Sequence, residues 1–158
     1  MHVVNGNSEG TALADGPAAS LTEVILLGHG SRAPEANEAM HEVARRLGER
    51  WPEYRFGTAF LEINAPSIPE GIDLAAEAGA ERILLLPYFL HLGNHVQKDL
   101  PRFMEEGRRR HPGVEIVLGA HLGFHPRLVE VAEERLIEAL ALEAAPILEI
   151  APAPGAVS

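Results

Sequence analysis

Four short apolar segments alternate with longer amphipathic stretches along this chain. The apolar segments cover residues 24–27, 54–61, 83–86 and 114–118, which are strand lengths. They are rich in valine, isoleucine and leucine, with little of the strict alternation that is typical of strands facing water on one side. Such runs are typical of parallel strands that are buried on both faces.

The stretches between these segments have helical spacing and helix-boundary residues. Apolar residues recur every three or four positions over 36–47, and Pro34 is suited to the first turn of that helix. Ser67 and Glu70 have the Ser-x-x-Glu form of a capping box, which predicts a helix start. Gly79 is well placed to end this second helix.

Two further helices are predicted near 97–110 and 126–141, each after a strand. Strand and helix therefore alternate four times, which predicts right-handed crossovers and a parallel sheet covered on both faces. The predicted fold class is α/β, a three-layer α/β/α architecture with a four-stranded parallel sheet.

The ends of the chain differ in composition from the middle. Residues 1–20 are rich in Gly, Ala, Asn and Ser and predict a flexible N-terminal tail, and residues 143–158 are broken by proline and predict a C-terminal tail. The working domain is expected over 21–142. The Gly-x-Ser-x-Gly pattern at 6–10 lies in the tail with no helix after it, so we interpret it as a chance match to a hydrolase elbow.

Composition narrows the class of protein. The chain has 158 residues, 46% of them hydrophobic and 23% charged, which fits one soluble globular domain. There is no cysteine, which excludes disulfides, thiolate metal sites and cysteine nucleophiles. The formal net charge of −10 argues against a nucleic-acid partner. No apolar run is long enough for a membrane helix, and the start lacks the basic residues of a targeting segment, so we expect a cytoplasmic protein without a membrane partner.

Candidate chemistry gathers where the predicted strands end. His29 follows the first strand, Glu62 ends the second, and His95 follows the third, each separated from the next by 33 residues. That spacing is about one βα unit of roughly 30 residues. Parallel strands place these loops on one edge of the sheet, where ligands bind in open α/β folds. The three side chains could therefore converge.

Two imidazoles and one carboxylate predict an open metal site. Imidazole binds iron, cobalt, nickel, copper and zinc, and a carboxylate can join the metal or accept protons. The set lacks the fourth ligand of a closed structural zinc site, which suits a metal that must leave again. The alternative for each histidine alone is a capping or loop residue, and for Glu62 a helix-capping or solvated acid. His91, His121 and His125 have no assigned role, and His125, before Pro126, has the position of a helix start.

The ordered motifs resemble the small form of the sirohydrochlorin chelatases. They are Leu-Leu-Gly-His-Gly-Ser-Arg-Ala-Pro, then Ala-Phe-Leu-Glu with Pro-Ser-Ile beyond it, then Leu-Leu-Leu-Pro-Tyr-Phe-Leu with Gly-x-His-Val and Asp-Leu-Pro, and finally Leu-Gly-x-His-Pro. The resemblance runs from about 23 to 137 in one register. It implies a flavodoxin-like class II chelatase half-module that inserts a divalent metal into sirohydrochlorin.

The resemblance also implies roles for individual residues. His29 and His95 would hold the incoming metal, and Glu62, or a histidine that has released its metal, would accept the protons of the macrocycle. The cations after the two histidine motifs are our candidates for the carboxylate arms of the substrate, although a solvated helix-terminal charge is the alternative for each. The expected substrate-binding residues are Ser31, Arg32, Lys98 and Arg102.

The identity of the metal and the assembly of the protein are two further expectations. Cobalt, in cobalamin biosynthesis, is the first expectation; iron, in siroheme biosynthesis, and nickel are the alternatives, because histidine binds all three. No organic cofactor is expected. A non-catalytic carrier of metal or tetrapyrrole is the alternative from another functional class. One module offers only one wall to a wide tetrapyrrole, so a homodimer with facing clefts is expected.

Overall fold

The computed structural model describes residues 21–142. The two predicted tails and the chance motif at 6–10 lie outside the described residues. Four strands alternate with four helices along this part of the chain. In order, the elements are β1 (Thr22–Gly28), α1 (Pro34–Arg50), β2 (Arg55–Phe60), α2 (Ile68–Glu77), β3 (Arg82–Pro87), α3 (Asn94–Arg110), β4 (Glu115–Leu118) and α4 (Pro126–Ala141).

The four strands form one parallel sheet in the order β2-β1-β3-β4. In the middle of β1, Leu26 is aligned with Thr58 on one side and with Leu86 on the other. The predicted parallel sheet is confirmed. Since β1 and β3 are its central strands, the loops after them lie side by side in the middle of one edge.

The two faces of the sheet have separate apolar cores. Val24 and Leu26 of β1 pack with Met40 of α1 on one face. Ile25 and Leu27, one position along the strand in each case, belong to the core that includes α2 and α3 on the other face. Successive side chains of β1 point to opposite faces of the sheet. Full burial of a leucine or isoleucine side chain contributes about 1.5–3 kcal/mol to the stability of the fold, so β1 contributes to the packing of the helices on both faces.

The helix-boundary residues behave as the sequence predicts at α1 and α2. Pro34 is the first residue of α1. Ser67 and Glu70 form a complete capping box, in which the Glu70 N–H donates to Ser67 Oγ and the Ser67 N–H donates to Glu70 Oε2 at 2.8 Å. Gly79, with a φ of 87°, follows the last turn of α2.

α3 begins three residues earlier than the sequence predicts. Gly93 is its N-cap, with an extended backbone (φ −65°, ψ 160°), and apart from its two neighbours in the chain no residue comes within 4 Å of the position that a Cβ would take there. The helix continues through Pro101. The earlier start places His95 in the first turn of a helix rather than in a loop.

Within residues 21–123, β3 is partly exposed on the face of the sheet that α1 covers. α1 connects the neighbouring strands β1 and β2 and lies over these two strands. Leu86 of β3 is consequently 36% exposed. An open apolar groove of about 330 Å³ results, and its lining residues are Val24, Leu47, Trp51, Tyr54, Phe56, Leu84 and Leu86.

The chain divides into two compact units, Met1–Gly123 and Phe124–Ser158. The described part of the second unit is essentially α4, which begins at the predicted position. His125 is its N-cap, and the His125 Nδ1 accepts a hydrogen bond from the Arg127 N–H at 3.2 Å. The domain bounds 21–142 stay a prediction. Over the described residues, no helix has the length and apolar character to cross a membrane.

Candidate functional site

The His29 and Glu62 loops leave adjacent strands and are joined through their backbones. His29 follows Gly28, the last residue of β1, and Glu62 lies two residues beyond the end of β2. The Leu61 N–H donates to the Gly28 carbonyl at 2.9 Å, and the Glu62 N–H donates to the His29 carbonyl at 3.0 Å. The β1–β2 ladder therefore continues past both strands and keeps the two candidate residues on neighbouring backbone positions.

Phe89 connects the His29 side chain to the loop that leads to His95. Phe89 is buried, and its ring meets the His29 ring edge-on with centroids 4.5 Å apart. At the start of the same loop, the Tyr88 N–H donates to the Leu27 carbonyl at 2.9 Å. The contact with Phe89 limits the orientations of the His29 imidazole. His29 is nevertheless an exposed residue.

His95 is the second residue of α3 and is exposed. The structure places His29 and Glu62 in loops and His95 in the first turn of α3, and all three follow the carboxyl ends of strands of the parallel sheet. Within residues 21–142, however, no three histidine or acidic side chains come close enough together to hold one metal ion. The arrangement offers one imidazole on the loop after β1 and one on the first turn of α3, and an ion bound to both would keep open positions for exchange.

A cavity of about 200 Å³ lies beside His29. The backbone of the His29 loop forms one wall, and the first turns of α1 form another. Side chains of mixed polarity surround it, including one phenol. The residues that line it are Gly28, His29, Gly30, Ser31, Ala36, Asn37, Ala39, Met40, Phe60 and Tyr88.

The candidate cations are exposed and lie on two elements. Arg32 precedes α1, while Lys98 and Arg102 are one turn apart on α3. Arg102 donates to Asp99 Oδ1 at 3.1 Å, and its guanidinium carbon is 5.1 Å from the Phe103 ring centroid. An exposed pair of this kind contributes little to stability, so Arg102 is available to an incoming anion.

Three of the other histidines have structural partners. His125 caps α4, which confirms the helix-start prediction. His111, the C-cap of α3, contacts Asp73 Oδ1 through Nε2 at 2.6 Å. His41 on α1 lies 3.1 Å from the Thr58 hydroxyl.

Asp73 joins α2 to the end of α3. Its partial burial acts to raise its pKa, but hydrogen bonds from His111 and Arg110 outweigh the burial, so the pKa of Asp73 lies below its ordinary value. The Arg110 Nε–Asp73 Oδ1 distance is 2.9 Å. This cluster is at the far end of α3 from His95 and does not belong to the candidate site.

Sequence reasoning missed Asn64, which lies two residues after Glu62. Its side-chain Oδ1 accepts a hydrogen bond from the Ser31 N–H at 2.7 Å. A polar residue in the loop after a strand was the only available signal, and this signal is shared by many loop residues.

Comparisons with known proteins agree with this architecture. Residues 23–139 match the CbiX family. The sirohydrochlorin cobaltochelatase of Priestia megaterium is 34% identical over 119 residues, which are 75% of this chain and 39% of that protein. The chloroplastic sirohydrochlorin ferrochelatase of Arabidopsis thaliana is 29% identical over 131 residues, 83% of this chain and 57% of that protein. The chain thus spans about half the length of these two relatives.

Shorter relatives and solved structures match as well. The chain covers 94% of the sirohydrochlorin cobaltochelatase of Sulfolobus acidocaldarius, with 30% identity over 120 residues. A CbiX protein from Marinobacter aquaeolei, named for cobalamin (vitamin B12) biosynthesis, aligns with a TM-score of 0.63 and 30% identity, over 75% of this chain and 97% of that one. The cobalt complex of the sirohydrochlorin chelatase SirB from Bacillus subtilis has a similar fold, with a TM-score of 0.68 and 23% identity, over 75% of this chain and 50% of that one. With the match over 23–139, this chain belongs to the CbiX family.

Proposed function

We propose that this protein is a sirohydrochlorin metallochelatase that inserts Co²⁺ into sirohydrochlorin during cobalamin biosynthesis. The observation that carries the proposal is the pair of histidine loops at one sheet edge, within a segment that is 34% identical to a sirohydrochlorin cobaltochelatase. The metal is a substrate, and the reaction needs no organic cofactor. We assign the reaction to the cytoplasm.

His29 and His95 hold the metal in this proposal. Two neutral imidazoles bind a divalent ion and leave several of its coordination positions free. The ring nitrogens of the macrocycle can occupy these free positions and then replace the imidazoles one at a time. The edge-on contact with Phe89 orients the His29 ring before the metal arrives. Holding the ion and the macrocycle face to face supplies the proximity contribution to the rate.

Glu62 is the proton acceptor. Two pyrrole N–H protons must leave the macrocycle as one M²⁺ enters, so the charge of the ring system is unchanged by the exchange. An exposed carboxylate beside the metal site can take these protons and pass them to water. The backbone link between Glu62 and His29 keeps this acid near the metal throughout.

Ser31, Arg32, Lys98 and Arg102 bind the carboxylate arms of sirohydrochlorin. The three cations flank the two histidines in the sequence and are exposed at this side of the molecule. In a chain with a formal net charge of −10, such a local group of cations is needed to attract an anionic substrate.

Iron is the alternative metal, since one of the similar proteins is a ferrochelatase. Nickel is a third alternative on ligand chemistry alone. The test follows the visible spectrum of sirohydrochlorin with Co²⁺, Fe²⁺ or Ni²⁺, with and without the protein. Faster insertion of cobalt than in the protein-free control supports the proposal. Binding of the metal or macrocycle without acceleration would identify a carrier instead.

The working form is a homodimer in which two clefts face each other around the macrocycle. A single module supplies only one wall of the site. The chain covers 39% of one relative and 94% of another, so the family includes both long proteins and proteins of about one module. Closed two-fold symmetry is the commonest way to pair identical clefts. Light scattering at micromolar concentration tests the assembly, and a monomer with full activity contradicts it.

A further inference from the structure

The His29 and Glu62 loops are held together beyond the point where the backbone ladder ends. The last backbone bond of the ladder runs from the Glu62 N–H to the His29 carbonyl. After it, the side chain of Asn64 continues the connection, because Asn64 Oδ1 accepts from the Ser31 N–H at 2.7 Å in a partly buried position. An amide side chain thus replaces the next rung of the sheet.

A rare backbone turn aims Asn64 at Ser31. The Asn64 N–H donates to the Glu62 carbonyl at 2.7 Å, which closes a three-residue turn around Ile63. Ile63 has a φ of 68°, in the left-handed region that a β-branched residue rarely adopts. Its side chain is 63% exposed, so packing does not account for the strain. Strain of this kind persists where surrounding contacts over-determine the backbone, and it is concentrated at functional sites.

The backbone on either side of the Ser31 N–H is restricted as well. Gly30 has a φ of 89°, and a Cβ on it would lie 1.9 Å from the Glu62 carbonyl oxygen and 3.0 Å from Asn64 Oδ1. From the other side, Asn37 Nδ2 of α1 donates to the Ser31 carbonyl at 3.2 Å. The loop is therefore held at Ser31 between the Asn64 amide and the Asn37 amide, and the glycine at position 30 permits its close approach to the Glu62 carbonyl.

We propose that Asn64 is a positioning residue for metal delivery, which fixes the His29 loop against Glu62 through its hydrogen bond to the Ser31 N–H. This inference rests on the proposed function of His29 as a metal ligand. With only two imidazoles to bind the ion, the site depends on each loop being in place before the metal arrives. Asn64 meets that need without occupying a coordination position.

The test compares Asn64→Asp with Asn64→Leu. A carboxylate oxygen can still accept from the Ser31 N–H, whereas a leucine of similar size cannot. Cobalt affinity is measured by titration of the protein alone with Co²⁺, followed by its visible absorption. Because outer residues that orient ligands contribute about 10–100-fold to metal affinity, we expect Asn64→Leu to weaken cobalt binding about 10-fold or more and Asn64→Asp to stay within about 3-fold of the wild type.

Ser67→Ala is the matched control for stability. It removes the capping box of α2, in the same β2–α2 region, and does not touch Ser31. We expect it to lower Tm while leaving cobalt affinity and the KM for cobalt unchanged. Asn64→Leu is expected to weaken cobalt binding and to raise the KM for cobalt even if its Tm is no lower than that of Ser67→Ala, which a general loosening of the fold would not do.

The outcomes separate the two proposals. Equal cobalt affinities for Asn64→Leu and the wild type overturn the positioning role, even if the wild type inserts cobalt. Equal weakening in Asn64→Asp and Asn64→Leu also overturns it, because the acceptor atom would then be irrelevant. A wild type that binds cobalt without inserting it contradicts only the enzymatic proposal, and a wild type that binds no cobalt overturns both.

Discussion

At the scale of single residues, His29 and His95 differ in how firmly they are held. The His29 ring packs against the buried Phe89, and its backbone carbonyl accepts a hydrogen bond from Glu62. His95 is an exposed residue in the first turn of α3. This difference suits a transfer site in which one ligand is fixed and the other can swing away with the metal.

We expect His29→Ala and His95→Ala each to lower the rate of cobalt insertion by about 100-fold or more, because each removes one of the two proposed ligands and even outer residues that orient ligands contribute about 10–100-fold to metal affinity or activity. The measurement is the insertion rate at subsaturating Co²⁺. His41→Ala is the control, since His41 is exposed on α1 and pairs with Thr58 in the middle of β2. Unchanged rates in both ligand variants would contradict the assignment.

Among the glycines that the structure describes, Gly30 is the one at which an added Cβ would make the closest contact. An alanine there combines a positive φ with a Cβ 1.9 Å from the Glu62 carbonyl oxygen. We expect Gly30→Ala to lower the free energy of unfolding by about 2 kcal/mol or more. Denaturant unfolding measures it, with Gly113→Ala as the control because no atom lies within 4 Å of its added Cβ. Similar losses in the two variants would contradict this account.

At the scale of elements, α2 and α3 are joined at their surfaces by the Asp73 cluster. The pKa of Asp73 is held below its ordinary value of 3.8, with hydrogen bonds from His111 and Arg110 outweighing the effect of burial. A carboxylate whose pKa is lower in the folded state stabilises the fold above its unfolded pKa. That contribution is lost as the pH falls through the folded pKa.

Asp73→Asn should therefore destabilise the protein at neutral pH and have a smaller effect in acid. We expect the difference in unfolding free energy between wild type and Asp73→Asn to shrink as the pH falls below about 4. Urea unfolding at several pH values measures this difference. If the difference in unfolding free energy is the same at pH 7 and pH 3, the charge of Asp73 does not contribute to holding α2 and α3 together.

Most elements were predictable because their signals are local. The strands are marked by apolar runs, and α2 is marked at both ends by Ser67, Glu70 and Gly79, whose side-chain or backbone preferences act within a few residues. The sheet edge that carries His29 and Glu62 followed from parallel topology. The hydrogen bond between Asn64 and Ser31 could not be predicted in this way. It depends on an isoleucine, Ile63, in the left-handed conformation, which sequence rules expect for glycine and asparagine.

The open groove at β3 was equally hidden from the sequence. Whether a strand is covered depends on which strands a helix connects, and α1 joins neighbours at one side of the sheet. The apolar run in β3 looks the same whether one face or both faces are covered. The exposed fraction of Leu86 could therefore be obtained only from the structure.

At the scale of the whole molecule, the charge of −10 opposes an anionic macrocycle. The electrostatic screening length is about 30 Å at 0.01 M salt and about 8 Å at 0.15 M. Moderate salt therefore screens the repulsion between distant acidic residues and the substrate, while Arg32 and Lys98 still attract it at short range. We expect the KM for sirohydrochlorin to fall as salt is raised over this interval. Steady-state insertion kinetics measure it, and a KM that rises with salt would mean that the local cations dominate the field even at long range.

The N-cap of α3 offers a place for a chemical probe. Gly93 has an extended backbone that any residue can adopt, and apart from its two neighbours in the chain no residue comes within 4 Å of a new Cβ. Since the chain contains no cysteine, Gly93→Cys would introduce a single thiol two residues from His95. A fluorophore attached there would be quenched by a paramagnetic Co²⁺ ion, so one label would report in real time when the ion arrives at the sheet edge and when it departs with the macrocycle.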